Sequence, residues 1–228
     1  MFDKKEHKTL LVKILKEIYS NTYLRKTLGF KGGSALYLFY NLPRLSVDLD
    51  FNLLEEKNKN KVFGEVKKIL ENFGDLEEAR EKRFTLFFLL SYKRRMRKIK
   101  IEISKRPSAD AYEVKQYLGI PVLVMKKENM AAGKLSALLT RKKFAARDLF
   151  DLWYILNQDW MIDEHSLKNH THLSLKDALN KSLNKIKAVH KKQLLQGVGE
   201  LIDEKQKNWV KDKLKDELIF LIKLRLKP

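Results

Sequence analysis

Residues 31–53 read Lys31-Gly32-Gly33-Ser34-Ala35-Leu36-Tyr37-Leu38-Phe39-Tyr40-Asn41-Leu42-Pro43-Arg44-Leu45-Ser46-Val47-Asp48-Leu49-Asp50-Phe51-Asn52-Leu53. The stretch predicts a glycine turn, a short helix, a second turn and a strand bearing two carboxylates. Gly32 and Gly33 have no Cβ, so the backbone there tolerates positive φ and can approach a ligand closely. Ser34 is placed to cap a helix over residues 35–41, which Pro43 stops. Free N–H groups at such a helix start suit an anion, a phosphate in particular. Along the strand, side chains alternate between faces, so Asp48 and Asp50 share one face. Val47, Leu49 and Phe51 share the other and can enter a core. Two hard carboxylates side by side are what Mg²⁺ needs when it also holds substrate phosphates.

Downstream, Lys98-Ile99-Lys100-Ile101-Glu102-Ile103-Ser104 alternates strictly and predicts a strand with three isoleucines inward. Glu102 stands among lysines on its polar face. Other predicted strands are residues 83–92 and 121–125, and the basic stretch 93–97 is the turn after the first. Amphipathic helices are predicted over residues 5–28, 61–72, 127–141, 147–156, 174–196 and 209–226, with Gly29 ending the first. Residues 107–119 read as a loop or short helix, and 160–173 as a polar loop. His170 and His172 in that loop have too few companion ligands for a metal site.

The chain has 228 residues, no cysteine and a formal net charge of +19. The absence of cysteine excludes disulfide or thiolate scaffolds and fits a reducing compartment. No apolar run approaches membrane-spanning length, so the expectation is a cytoplasmic protein with no membrane partner. The positive excess is +6 in residues 160–228 and +13 in residues 1–159. It is therefore concentrated around the motif. Residues 93–106 alone hold eight basic residues and one acid. A surface of this kind attracts polyanions, and a nucleic-acid partner is the favoured reading.

Gly33-Ser34, thirteen residues, then Asp48-x-Asp50 resembles the signature of the DNA polymerase β-like nucleotidyltransferase superfamily. The fuller string, Lys31-Gly32-Gly33-Ser34-Ala35-Leu36 followed by Arg44-x-Ser46-x-Asp48-Leu49-Asp50-Phe51, more specifically resembles the AbiEii/AbiGii-type (MenT-like) nucleotidyltransferase toxins. A second resemblance to that family lies in Lys134-x-x-Ala137-Leu138-x-x-Arg141 followed by Arg147-Asp148-x-x-Asp151-Leu152. The resemblance implies a third metal-binding acid on a neighbouring strand, and Glu102 is in position to be it, although aspartate is common there in the family. It implies that Lys134 contacts nucleotide phosphates and that Asp148 is a catalytic carboxylate. Asp151 reads as structural, holding Arg141 or Arg147.

The expected fold is α/β: a small mixed sheet flanked by helices over residues 1–125, then a helical region over 126–228. The expected reaction is metal-dependent nucleotidyl transfer. Asp48, Asp50 and Glu102 would hold Mg²⁺ or Mn²⁺. Gly32, Gly33, Ser34 and Lys134 would hold the NTP phosphates, with Arg44 and Ser46 positioning the nucleotide. The family implies an RNA acceptor, the 3′ end of tRNA, and a cognate antitoxin. A metal-dependent nuclease is the alternative, against which the Gly-Gly-Ser turn counts, since hydrolysis needs no triphosphate cradle. A non-catalytic nucleic-acid-binding module is the other, and the acidic set argues against it.

Overall fold

Strand pairing organises the first part of the chain in the computed structural model, which describes residues 3–227. Seven strands form one mixed sheet: β1 (Leu28–Lys31), β2 (Leu49–Leu53), β3 (Asp75–Lys82), β4 (Thr85–Ser91), β5 (Ile99–Ser104), β6 (Tyr112–Tyr117) and β7 (Ile120–Met125). Their order across the sheet is β3-β4-β5-β2-β1-β7-β6. The β2–β5 and β1–β7 pairs are parallel, and the rest antiparallel. Mixed α/β architecture is thus what the sequence predicts.

One face of the sheet is apolar throughout. Val124, Phe30, Phe51, Ile103 and Leu86 are successive register partners across five strands, all at most 1% exposed. Burying each such side chain contributes about 1.5–3 kcal/mol. Helices α1 (Lys4–Ser20), α2 (Leu24–Thr27) and α4 (Lys59–Glu71) cover this face. Tyr19 of α1 approaches Phe51, and Phe63 of α4 stacks on Phe88.

Backbone contacts divide the chain into two compact units. The first holds the sheet and comprises residues 3–41, 45–108 and 112–125. The second comprises residues 42–44, 109–111 and 126–227. It contains α5 (Lys127–Thr140), α6 (Ala146–Asn157), α7 (Glu164–Thr171), α8 (Leu175–Lys187), α9 (Glu204–Asp212) and α10 (Leu214–Leu226). Helix α5 packs against α6, α7 and α8, and α10 against α6 and α8. The indole N–H groups of Trp153 and Trp209 both donate to Glu217, each at 3.0 Å. That shared carboxylate ties α6, α9 and α10 together. Among the described residues no helix is long and apolar enough to cross a membrane.

Several elements differ from the sequence reading. The first helix ends at Ser20, because the Asn21 side chain accepts from the backbone of Tyr23 and Leu24 and starts the short α2. Gly29 ends no helix. It lies in β1, where a Cβ would come within 2.6 Å of Tyr112 Cζ. Residues 75–82 form an edge strand although they carry six charged side chains. Charge is a common guard on sheet edges and erases the apolar alternation. Residues 112–117 are the opposite edge strand rather than loop or helix. The 160–173 segment contains α7, started by the Asp163 side chain accepting from Ser166 N. The two C-terminal helices are shorter than predicted: α8 stops at Lys187, and Lys213 separates α9 from α10.

Candidate active site

The motif folds as β1, then α3 (Gly32–Phe39), then β2. Helix α3 starts directly at Gly32, whose φ is +79°. The glycine is required twice over. Its φ is left-handed, and a Cβ there would lie 2.9 Å from Asp50 Cβ and 3.0 Å from Asp50 Cγ. Asp50 therefore sits against the start of the helix. Gly32→Ala is expected to add about 1–2 kcal/mol of backbone strain and to displace the Asp50 side chain. A thermal melt and a transfer assay on the same sample would check this. Activity should fall well beyond what the loss of folded protein accounts for.

Ser34 does not cap the helix. It lies in the first turn, 1% exposed, and its hydroxyl donates to the backbone oxygen of Asp48. The neighbouring carbonyl, Val47 O, is held 3.0 Å from His7 Nε2. Burial pushes the His7 pKa below the usual imidazole value, against the hydrogen bond to Val47; Arg97 lowers it further and Asp48 opposes. In that neutral ring a carbonyl can only accept, so Nε2 carries the proton and Nδ1 accepts from the Tyr92 hydroxyl at 3.1 Å. Two consecutive carbonyls beside the first motif aspartate are thus fixed by side chains from α1 and α3. The helix stops at Phe39, and Asn41 turns the chain with φ +54°, ahead of Pro43.

Burial alternates from Val47 to Phe51 as the pattern requires: Val47, Leu49 and Phe51 are buried and Asp48 and Asp50 partly exposed. Asp48 lies one residue before β2 begins. Asp50 and Glu102 are register partners on the parallel strands β2 and β5, so their side chains leave the same face. On Asp50's other side the partner is Lys31. The next polar row pairs Asn52 with Ser104, and Asn52 donates to Tyr112 Oη at 2.7 Å. Among the described residues, no three carboxylates or imidazoles gather closely enough to hold a metal ion. Asp50, Glu102 and the Gly32 helix start are neighbours; a closed three-acid site is not formed. Ser46 is buried at 8% exposure. A surface concavity lined by Glu6, Thr9, Phe73, Tyr92 and Lys93, among others, contains none of the motif residues.

The second unit builds its own charged cluster. Arg44 donates from Nε and Nη2 to the two carboxylate oxygens of Asp151, at 2.6 and 2.7 Å. Lys134 Nζ lies 2.6 Å from the same carboxylate. Asp151 is fully buried and Arg44 is 4% exposed. Burial alone pushes the Asp151 carboxyl up, but the two cations overcome it and hold its pKa down at about 2. The sequence reading pairs Asp151 with Arg141 or Arg147; its partners are Arg44 and Lys134 instead. Arg141 instead pairs with Asp148 at 2.8 Å, and Asp148 is 2% exposed. Lys134 retains two further N–H donors, and two cations against one carboxylate leave the cluster net positive.

His7 and Tyr92 escaped the sequence reading. A signal existed: His7 is in helical phase with Leu11, Ile14, Leu15 and Ile18, the buried stripe of α1.

No curated protein matches the chain. Two solved structures share its fold. JHP933 from Helicobacter pylori superposes with a TM-score of 0.63 at 21% identity, over 99% of this chain and 94% of that one. An H. pylori protein described as a candidate nucleotidyltransferase gives a TM-score of 0.62 at 22% identity, over 97% and 93%. The family model that matches, over residues 13–217, is that of the nucleotidyl transferase AbiEii toxin of type IV toxin–antitoxin systems. It spans both units and every motif described above, and the chain therefore belongs to the AbiEii nucleotidyltransferase toxin family.

Proposed function

We propose that this nucleotidyltransferase moves a nucleoside monophosphate from an NTP to a hydroxyl of RNA, the 3′ end of tRNA in particular, with Mg²⁺ or Mn²⁺ as cofactor. The observation that carries the reading is the register pairing of Asp50 with Glu102 on the polar sheet face, directly against the Gly32 helix start. A helix start offers free N–H groups and a partial positive charge to a phosphate. Here it already has a carboxylate beside it. A triphosphate and Asp50 at one helix start repel each other unless a cation lies between them. Two carboxylates on one face are hard oxygen ligands suited to such a cation.

The acceptor hydroxyl oxygen forms a new bond to the α-phosphorus. The bond from that phosphorus to the bridging oxygen breaks, and pyrophosphate leaves with the electron pair. The acceptor's proton passes to a base. A bound divalent ion supplies Lewis-acid charge that lowers the pKa of the attacking hydroxyl and stabilises the leaving oxygen. The protein's own contribution is to hold this arrangement. Gly32 leaves room for Asp50, the amides of the first turn of α3 face the phosphates, and Ser34 and His7 fix the backbone beside Asp48. Lys134 and Asp148 belong to the second unit, and the roles that the motifs imply for them are tested by Lys134→Ala and Asp148→Asn in the same assay.

The deciding experiment is incubation with total RNA and each α-³²P-labelled NTP in turn, with and without Mg²⁺. Label should enter RNA of tRNA size with one or a few NTPs, and chelation should abolish it. Absence of label with every NTP would overturn the proposal. Transfer that survives chelation would remove the metal from it.

A further inference from the structure

We propose that the tip of the β3–β4 hairpin, with the end of β5 beside it, is the docking platform for the single-stranded 3′ end of the RNA acceptor. The proposal rests on the reading that the acceptor is RNA. Its observation is separate, because none of these residues belongs to the motifs.

Phe84 lies at the hairpin tip and is 41% exposed, a large apolar ring held in solvent. Two guanidinium groups lie over its ring, Arg83 at 4.8 Å and Arg106 at 4.5 Å from the centroid. The connection from β5 is held there by Lys105 N donating to Phe84 O at 2.8 Å. The other cations nearby are engaged. Lys59 and Lys105 pair with Glu81, and Arg80 and Lys82 with Glu78. Among the described residues, no carboxylate pairs with Arg83 or Arg106. The tip therefore presents one ring and two guanidinium planes whose charge is not neutralised by the protein.

That is the chemistry single-stranded RNA requires. Unpaired bases stack on aromatic rings and guanidinium planes, and arginines neutralise the phosphates between them. A duplex end, with its bases stacked internally, gains little from such a platform. An acidic protein would engage the arginines but has no need of the exposed ring.

The tip also lies on the way from the carboxylates. Arg106 follows Glu102 by four residues, two of them beyond the end of β5, at most about 13 Å of extended chain. On the neighbouring strand, Thr85 is the register partner of Ser104 and Phe87 of Glu102. Lys82 sits over the Phe87 ring, 3.2 Å from its centroid. The paired strands β4 and β5 thus connect Glu102 to the tip, within reach of the last nucleotides of a strand whose hydroxyl is at the carboxylates.

The test uses the full chain and two readouts. Fluorescence anisotropy with a labelled single-stranded oligoribonucleotide and with a blunt duplex, across a salt series, needs no catalysis. Transfer kinetics give separate KM values for RNA and NTP. Phe84→Ala should weaken single-strand binding and raise the KM for RNA by about 5- to 100-fold. The KM for NTP should stay unchanged, and Phe84→Trp should restore RNA binding while Phe84→Leu does not. Arg83→Ala combined with Arg106→Ala should also flatten the salt dependence, by about 0.7 in log–log slope for each phosphate no longer neutralised. Variants equal to wild type in both readouts would overturn the platform. So would weakening confined to the arginine variant and equal for duplex and single strand, which describes a general phosphate patch. A wild-type protein that labels no RNA overturns the functional reading itself, and is told apart because it fails before any variant is made.

Discussion

Asp50→Ala is expected to reduce nucleotidyl transfer by about 10³-fold or more, equivalent to ~4 kcal/mol of lost transition-state stabilisation. Asp50 meets both halves of the proposed chemistry, since it pairs in register with Glu102 and lies against the helix start at Gly32. The substitution should leave the fold intact. The core is carried by Leu49 and Phe51 on either side, both fully buried, while Asp50 is partly exposed. An unchanged melting curve with lost RNA labelling is therefore the signature, and unimpaired labelling by Asp50→Ala would end the reading. Asp48→Ala and Glu102→Gln in the same assay decide how many acids take part. A comparable loss in all three supports a three-carboxylate site. A silent Glu102→Gln reduces it to the aspartate pair.

The largest effect on stability is expected at Asp151. Replacing it with alanine removes the buried carboxylate that Arg44 and Lys134 both engage, next to an arginine that is itself buried. Breaking a buried pair by removing one member costs about 3–5 kcal/mol, chiefly because the remaining charge is unsolvated. A urea titration should show the midpoint fall accordingly. Arg44→Met combined with Asp151→Leu should recover much of the loss, because it removes the buried guanidinium as well. If the double variant is no better than the single, lost packing rather than the buried guanidinium is the cause. The pair also sets an acid limit. The folded pKa of Asp151, about 2, lies below its ordinary value of 3.8. The folded state therefore binds fewer protons than the unfolded one between those values. The carboxylate's contribution is fully present above pH 3.8 and is lost as the pH falls through about 2.

Chain-local patterns were enough for the parts of this protein that depend on periodicity or spacing. The alternation of Val47 to Phe51 and of Ile99 to Ile103 marked two core strands, because a period of two sorts side chains between faces wherever the strand lies. The Gly-Ser and Asp-x-Asp spacing, with the later lysine and aspartate motifs, marked the family. Positions 75–82 and 112–117 were not legible as strands, since an edge strand needs no apolar face and its pairing is supplied by β4 and β7. Partner choice was equally hidden. Nothing near Asp151 in the sequence points to Arg44, more than a hundred residues away, or shows that Lys134 shares its carboxylate with that arginine.

The amino-acid order by itself determined the fold class, the family and the acids to be tested, because those follow from local periodicity and from residue identities at given spacings. Tertiary structure alone decided that Asp50 faces Glu102, that Ser34 binds a backbone oxygen instead of capping its helix, and that His7 holds Val47. The physical reason is that a hydrogen bond or an ion pair is made through space. Which distant groups meet is set only once the strands have taken their register and the helices have packed.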